Sequence, residues 1–240
     1  MKIIGDYHTH TKYSHGKGTI EENVVMAIKR GLKEIGIAEH GPRVLFVGVS
    51  EKKLHKIADE IEILRTKYKE IKILFNIEAN LLDIHGNIDV PPSILPRLDM
   101  LLLGFHPNIL PTYHYLPLVY NNFLASLSSQ NLEKARDLNT TALVNAVNKY
   151  KIDIITHPGH RIHIDTGRLA KACANRKTAL EINCRQGQKI EDFVEVALKE
   201  GVKFYINTDA HKPEDVGNFH EGIEIAKKLK IPKEFIVNCN

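Results

Sequence analysis

Asp6-Tyr7-His8-Thr9-His10-Thr11-Lys12-Tyr13-Ser14-His15-Gly16 places three histidines and an aspartate within eleven residues near the amino end. Ile3 and Ile4 precede it, so residues 2 to 8 read as a strand. A period of two then puts Asp6, His8 and His10 on one face. Such a polar face does not belong in an apolar core. Histidines at i and i+2 where a strand ends suit zinc, manganese or iron, for which imidazole is a good ligand.

The same arrangement recurs down the chain. Thr19 and Glu22 form a capping box for a helix with Ile20, Val24, Ala27 and Ile28 on one stripe, ended by Gly31. Residues 34 to 38 form a second strand, which delivers Glu39 and His40 before the turn at Gly41-Pro42. A second helix opens at Ser50 with Leu54, Ile57, Ile61 and Leu64 on one side; His55 lies off that stripe. Further strands over 71–77, 100–104, 152–156, 179–182 and 203–207 alternate with helical patterns near 141–150, 166–175, 189–200 and 214–230. Apolar strands alternating with amphipathic helices specify parallel βαβ units. Seven or eight of them in 240 residues predict an α/β fold, a closed or nearly closed (β/α) barrel over 1–240, with an open doubly wound sheet as the alternative. The chemistry at the strand ends favours the barrel. His10, His40, Glu78, His106, His157 and Asp209 each follow a different strand, and only a closed sheet gathers all those ends on one face.

Composition narrows the function. A net charge of +4 without a basic run does not call for nucleic acid or a charged membrane surface. No window approaches ~18 apolar residues and the amino end has no apolar signal region, so a cytoplasmic protein is expected. Cys173, Cys184 and Cys239 are too scattered for a disulfide frame or a C-x-x-C knuckle, as suits a reducing compartment. The sequence carries no signal of oligomeric state. Of the thirteen histidines, His85, His114, His163 and His220 fall on loops without recurring at strand ends and read as plain polar residues; His160, three residues past His157, is a candidate substrate contact. A carboxylate bridges two cations where an imidazole does not, so Glu78 is the natural centre of a pair of ions about 3.5 to 4 Å apart that share a hydroxide, the clamp for in-line displacement at phosphorus. No Ser or Cys nucleophile is then required.

Six ordered motifs, D-x-H-x-H-T-x-x-S-x-G at 6–16, E-H-G-P at 39–42, I-E-A-N at 77–80, G-F-H at 104–106, H-P-G at 157–159 and T-D-A-H at 208–211, resemble the polymerase and histidinol phosphatase (PHP) family, especially its small bacterial metallophosphoesterases. The resemblance implies a distorted, TIM-like seven-stranded (β/α) barrel with the metal site at the carboxyl-terminal ends of its strands, and three divalent metal ions, zinc, manganese or iron. One would take His8, His10, Glu78 and Asp209; a second would share Glu78 and add His106 and His157; a third would use His15, His40 and His211. His15 stands where many members carry aspartate. Glu78, Asp209 and His211 are the expected catalytic positions, with Asp6 orienting an imidazole from behind. The implied activity is hydrolysis of a small phosphomonoester by the metal-bridging hydroxide, with Arg43, Arg161, Arg185 and His160 as candidate substrate contacts. The alternatives are a nuclease of the proofreading kind, which the absence of a basic stripe disfavours, and a metal-containing regulatory domain, which the full ligand set disfavours. Residues 107–140 depart from a compact member as a long excursion rich in Tyr113, Tyr115, Tyr120 and Phe123, expected either to overlie the metals and select the leaving group or to form a peripheral helical addition.

Overall fold

The computed structural model describes residues 1–110 and 113–240, apart from the side chain of His114; the reading of His114, and the 111–112 part of the excursion, lie outside the described residues. Seven strands, β1 (Gly5–Thr9), β2 (Glu34–His40), β3 (Lys72–Asn80), β4 (Met100–Gly104), β5 (Ile154–Ile155), β6 (Ala179–Asn183) and β7 (Phe204–Asn207), pair in sequence order, all parallel. Helices α1 (Ile20–Lys29), α2 (Glu51–Lys67), α3 (Leu116–Leu124), α4 (Ser129–Lys149), α5 (Thr166–Arg176), α6 (Glu191–Lys199) and α7 (His220–Lys228) flank it. β7 returns to β1 without a full ladder. A bridge between Thr9 and Ala210, the His10 N–H donated to the Ala210 carbonyl (2.8 Å) and the Tyr7 N–H donated to Asn207 Oδ1 (3.1 Å) join them, so the barrel is nearly closed. Among the described residues no helix is long and apolar enough to cross a membrane.

Local chemistry sets the element ends. The Thr19–Glu22 capping box starts α1, Ser128 caps α4 through the Asn131 N–H, and Asp165 caps α5 through the Arg168 N–H. The stripe Leu54, Ile57, Ile61 and Leu64 of α2 is buried against the sheet, each residue contributing about 1.5–3 kcal/mol. Three elements differ from their sequence expectation. β5 is two residues long, because the Asp153 carboxylate takes the Leu101 N–H (2.9 Å) and His157 turns the chain at φ 28°. The last helix begins at His220 instead of 214, because Gly217 at φ 74° breaks the chain there and gives its N–H to Asp6 (3.1 Å). α4 runs from Ser129, with its polar first half anchored by Asn139 Nδ2, which donates to Asn122 Oδ1 (2.8 Å) and the His163 carbonyl (2.9 Å).

The barrel interior has two levels. Tyr7, Ala38, Leu74, Leu102 and Ile154 form an apolar floor. Above it stand buried polar side chains, among them Asn76, Glu78, Thr156, Glu181 and Asn207. Gly36 is required at the junction: a Cβ there would sit 2.1 Å from Asn76 Nδ2 and 2.8 Å from the Tyr7 carbonyl oxygen. The register of β1 against β2 slips by one residue between Asp6 and Thr9, an extra residue in the β1 strand. Alternation is therefore broken within the motif that opens the chain. Tyr7 joins the floor and His8 reaches the polar level beside it, while Asp6 turns to the outer side.

Candidate metal centre

The carboxyl ends of the strands deliver a connected cluster of donors. From β1 and the loop after it come His8, His10 and His15; from β2, His40; from β3, Glu78; and past β4, β5 and β7, His106, His157, Asp209 and His211. All nine line one region in which groups of three donor atoms lie within 4.8 Å of one another: His8, His10 and Glu78; His10, Asp209 and His211; His10, His15 and His40; His40, Glu78 and His106.

The separations match ligands around a cation better than hydrogen-bonded partners. His8 Nε2 and His10 Nε2 are 3.1 Å apart, His8 Nε2 lies 3.5 Å from Glu78 Oε1 and 3.7 Å from Asp209 Oδ1, and His10 Nε2 lies 3.7 Å from Glu78 Oε2 and 3.4 Å from Asp209 Oδ1. A tetrahedral ion with bonds of about 2.0–2.2 Å has ligand-to-ligand edges of about 3.3–3.6 Å. Glu78 faces both ways. Its Oε1 is 2.7 Å from His157 Nε2 and 3.6 Å from His106 Nε2, and its Oε2 is 2.9 Å from His40 Nδ1. That last pair is close without hydrogen-bond alignment, so Glu78 Oε2 and His40 Nδ1 are both buried without a hydrogen-bond partner, as is His10 Nδ1. Orphaned buried acceptors are costly unless a ligand satisfies them. His15 Nε2 faces His211 Nε2 at 2.5 Å, two ring nitrogens directed at one point. Nitrogen and carboxylate donors in this arrangement fit divalent cations.

The electrostatics agree. Burial opposes ionisation of Glu78, yet His106, His8, His157 and His40 around it hold its carboxyl well below the usual range. Asp209 is likewise held down, against burial, by His8 and His10. Burial and neighbouring imidazoles lower His15 to about 4 and His106 to about 3, and burial also depresses His10 and His211, so these rings keep free lone pairs at neutral pH. In His8 and His157 burial is outweighed by carboxylates, led by Glu181 for His8 and by Glu78 for His157, and both are raised.

The supporting residues are less visible in sequence. Glu181 of β6, wholly buried, takes His8 Nδ1 (2.8 Å) and Asn207 Nδ2 (3.0 Å) on one oxygen and the His157 N–H (2.8 Å) and Asn183 Nδ2 (2.9 Å) on the other. It fixes the His8 ring with Nε2 toward the cluster. That is the role expected of Asp6, which instead accepts from the Thr208 N–H (3.2 Å), Thr208 Oγ1 (2.5 Å) and the Gly217 N–H and, among the described residues, hydrogen-bonds no imidazole. The slip in β1 is the reason. Buried Glu39 accepts the Thr11 N–H (2.8 Å), the Thr11 hydroxyl and the Ser14 hydroxyl, tying down the loop that carries His15. Thr156 Oγ1 donates to Glu78 Oε1 (2.7 Å) and the His106 ring meets Asn80 Oδ1 through Nδ1 (2.9 Å). The only advance sign of Glu181 was a charged residue inside an apolar strand.

A cavity of about 940 Å³ opens above the donors, with the apolar side chains of Val47, Ile162, Ile164 and Phe193 in its wall. His160, Arg161 and Arg185 line it; Arg185 Nη1 lies 2.9 Å from His211 Nδ1. Arg43 stands outside that lining, its N–H on Asp89 (3.1 Å) and its Nη2 on the Leu110 carbonyl (3.4 Å). The aromatic residues Tyr113, Tyr120 and Phe123 of the excursion do not line the cavity over the metal donors. Tyr113, Tyr120 and Phe123 border a separate apolar depression with Ile84 and Leu116, and Tyr115 is buried with its hydroxyl on the His106 carbonyl (3.1 Å). The start of α4 reaches the cavity instead, through Leu132, Glu133 and Arg136.

The model of the PHP domain matches residues 6–181. The chain belongs to the PHP domain family. PHP relatives match it over nearly their full length: a protein named probable phosphatase from Thermoanaerobacter sp. is 31% identical over 250 residues, covering 100% of this chain and 92% of that one. A probable phosphatase from Shewanella frigidimarina is 29% identical, covering 99% and 90%. Among solved structures, the histidinol phosphate phosphatase of Lactococcus lactis, complexed with zinc, L-histidinol and phosphate, superposes with a TM-score of 0.61 at 17% identity over 94% of this chain and 93% of that one. At that identity the likeness is one of fold, and the PHP barrel is shared.

Proposed function

We propose that this PHP protein is a metal-dependent phosphatase acting on a small phosphomonoester. The observation that carries the reading is Glu78: a buried, ionised carboxylate whose two oxygens face imidazoles on opposite sides, with Oε2 left without a hydrogen bond. The near full-length relatives named probable phosphatase support the same activity. In this reading three divalent cations are held, one by His8, His10, Glu78 and Asp209, a second by Glu78, His106 and His157, and a third by His15, His40 and His211. When bound, such cations supply Lewis acidity, lowering the pKa of water and offsetting charge on phosphoryl oxygens.

The chain's own residues prepare that chemistry. Glu78 and Asp209 stay ionised at neutral pH and need no deprotonation to serve as ligands. Glu181 holds His8 with Nε2 inward, and Glu39 holds the loop of His15 in place. Arg185, beside His211 at the cavity edge, presents its guanidinium fork to phosphoryl oxygens. His160, whose proton affinity is lowered by burial and by His157 and Arg161, stands neutral next to it as a polar contact for the ester.

The test is elemental analysis of purified protein, followed by assays on a panel of phosphomonoesters, a phosphodiester and single-stranded DNA with added manganese or zinc. Hydrolysis of monoesters that is lost in Glu78→Gln is the expected result. Activity on the diester or DNA alone would overturn the proposal in favour of a nuclease.

A further inference from the structure

Beyond the metal donors and Arg185, the cavity wall carries three more cations from three separate segments: Arg136 on α4, Arg161 on the loop after β5, and Lys189 just before α6. Among the described residues, the one acid that lines the cavity apart from Glu78 and Asp209 is Glu133. Among the described residues, the side chains of Arg136, Arg161 and Lys189 make no ion pair or hydrogen bond, whereas Arg65, Arg97 and Arg168, elsewhere on the surface, pair with Asp99, Asp59 and Asp137. Arg161 is held at φ 60° in a loop where His157 (φ 28°) and Gly159 (φ 81°) are also left-handed, a conformation rare for a side chain of this size and concentrated at functional sites. The volume of about 940 Å³ is at the upper end of small-molecule sites and far exceeds what one phosphoryl group fills.

We propose that the cavity takes a phosphomonoester whose leaving group carries a second anionic group, a phosphate or a carboxylate, held by Arg136, Arg161 and Lys189 while the scissile phosphoryl lies against the metal donors and Arg185. The proposal rests on the phosphatase reading and names its substrate class. A metal centre together with Arg185 answers the charge of one phosphoryl group, which leaves three cations lining the same cavity against the single carboxylate of Glu133. A planar guanidinium recognises phosphate or carboxylate through paired hydrogen bonds, and lysine does so as a point charge. The apolar wall covers the carbon framework between the two anions. A leaving group bearing an ammonium would meet those three cations with only Glu133 in compensation, so the same rim selects against it.

Two measurements on the purified, metal-containing protein test this. In the first, phosphonate analogues, in which a methylene replaces the scissile ester oxygen, are titrated calorimetrically in a matched set: leaving groups that are neutral, carboxylate-bearing, phosphate-bearing and ammonium-bearing. The anionic analogues are expected to bind about tenfold or more tightly than the neutral one and the ammonium analogue more weakly. That ratio should shrink as salt is raised and collapse toward one in the Arg136→Gln, Arg161→Gln, Lys189→Gln variant. Whether the phosphate or the carboxylate arm binds more tightly identifies the second group. In the second, kcat/KM is measured for the corresponding esters. Equal affinities across the set, or a ratio unchanged in the triple variant, overturn the proposal. Retained anion preference with no hydrolysis of any ester refutes the phosphatase reading instead, while an oligonucleotide bound more tightly than every small analogue replaces the proposed substrate class.

Discussion

Glu181→Gln probes how the site is held. The carboxylate receives four donors, two on each oxygen, all buried: His8 Nδ1 and Asn207 Nδ2 on Oε1, the His157 N–H and Asn183 Nδ2 on Oε2. A glutamine replaces one oxygen with an NH₂ group, so two of the four bonds become donor against donor. Neither asparagine can flip freely, because Asn207 Oδ1 accepts the Tyr7 N–H (3.1 Å) and Asn183 Oδ1 accepts the Arg185 N–H (3.0 Å). With the NH₂ toward His8, the ring must accept at Nδ1 and carry its proton on Nε2, which blocks the nitrogen that faces His10 and Glu78. With the oxygen toward His8, the NH₂ confronts the His157 N–H.

Two lost hydrogen bonds to a charged group, at about 1.5–3 kcal/mol each, destabilise the fold by about 3 kcal/mol or more, and loss of the support behind His8 lowers metal affinity about 10- to 100-fold. Denaturant titration of the metal-free protein reads the first number and competition with a metallochromic chelator the second. His8 adds a directional check: Glu181 is the foremost carboxylate raising it, so the variant's His8 should titrate at lower pH, measurable by NMR of the metal-free protein. Unchanged metal affinity together with unchanged stability would refute the assignment of Glu181 as the residue that positions His8.

Other perturbations reach the remaining parts of the site. Gly104→Ala would put a Cβ 2.7 Å from His106 Cε1 and 2.9 Å from Glu78 Oε1, and is expected to lower metal content and turnover while leaving secondary structure intact by circular dichroism. Thr156→Val removes the hydroxyl donated to Glu78 and should cost about 1.5–3 kcal/mol of stability in the metal-free protein. His106 has a folded-state pKa near 3, below the unfolded value of about 6.5, so its contribution to stability is present above pH 6.5 and lost as pH falls toward 3. Going from pH 7 to pH 5 should therefore destabilise the metal-free protein by on the order of 2 kcal/mol more than it destabilises His106→Asn, measured by urea denaturation at both pH values. Because carboxylates raise His8 and His157, metal loading near neutral pH should release protons from them, read as a dependence of the calorimetric heat on buffer ionisation enthalpy; heat independent of the buffer would refute this.

Why the donors were legible in sequence and their supports were not follows from the two kinds of pattern involved. A parallel strand buried on both faces is nearly all apolar, so a histidine or acid at its carboxyl end stands out, and seven repetitions expose both the barrel and the ring of donors. Glu181 occupies a strand interior and reads as an exception without a partner, because the imidazole it serves is 173 positions away. Asp6 shows the converse failure. Period-two reasoning assigns it to the face of His8 and His10, yet one extra residue between Asp6 and Thr9 reverses the alternation. That slip has a structural reason. Without it, Tyr7 and His8 would lie on opposite faces, and β1 would either lose the tyrosine that completes the barrel floor with Leu74 and Leu102 or turn His8 away from Glu78. With it, one short strand supplies both the apolar floor and the first imidazole above it. Asp6, moved to the outer side, gathers Thr208 and Gly217 and so anchors the segment after β7 that carries Asp209 and His211. The opening motif thus builds the metal centre twice over, directly through its histidines and, on the other face, by fixing the loop that brings in the last two donors.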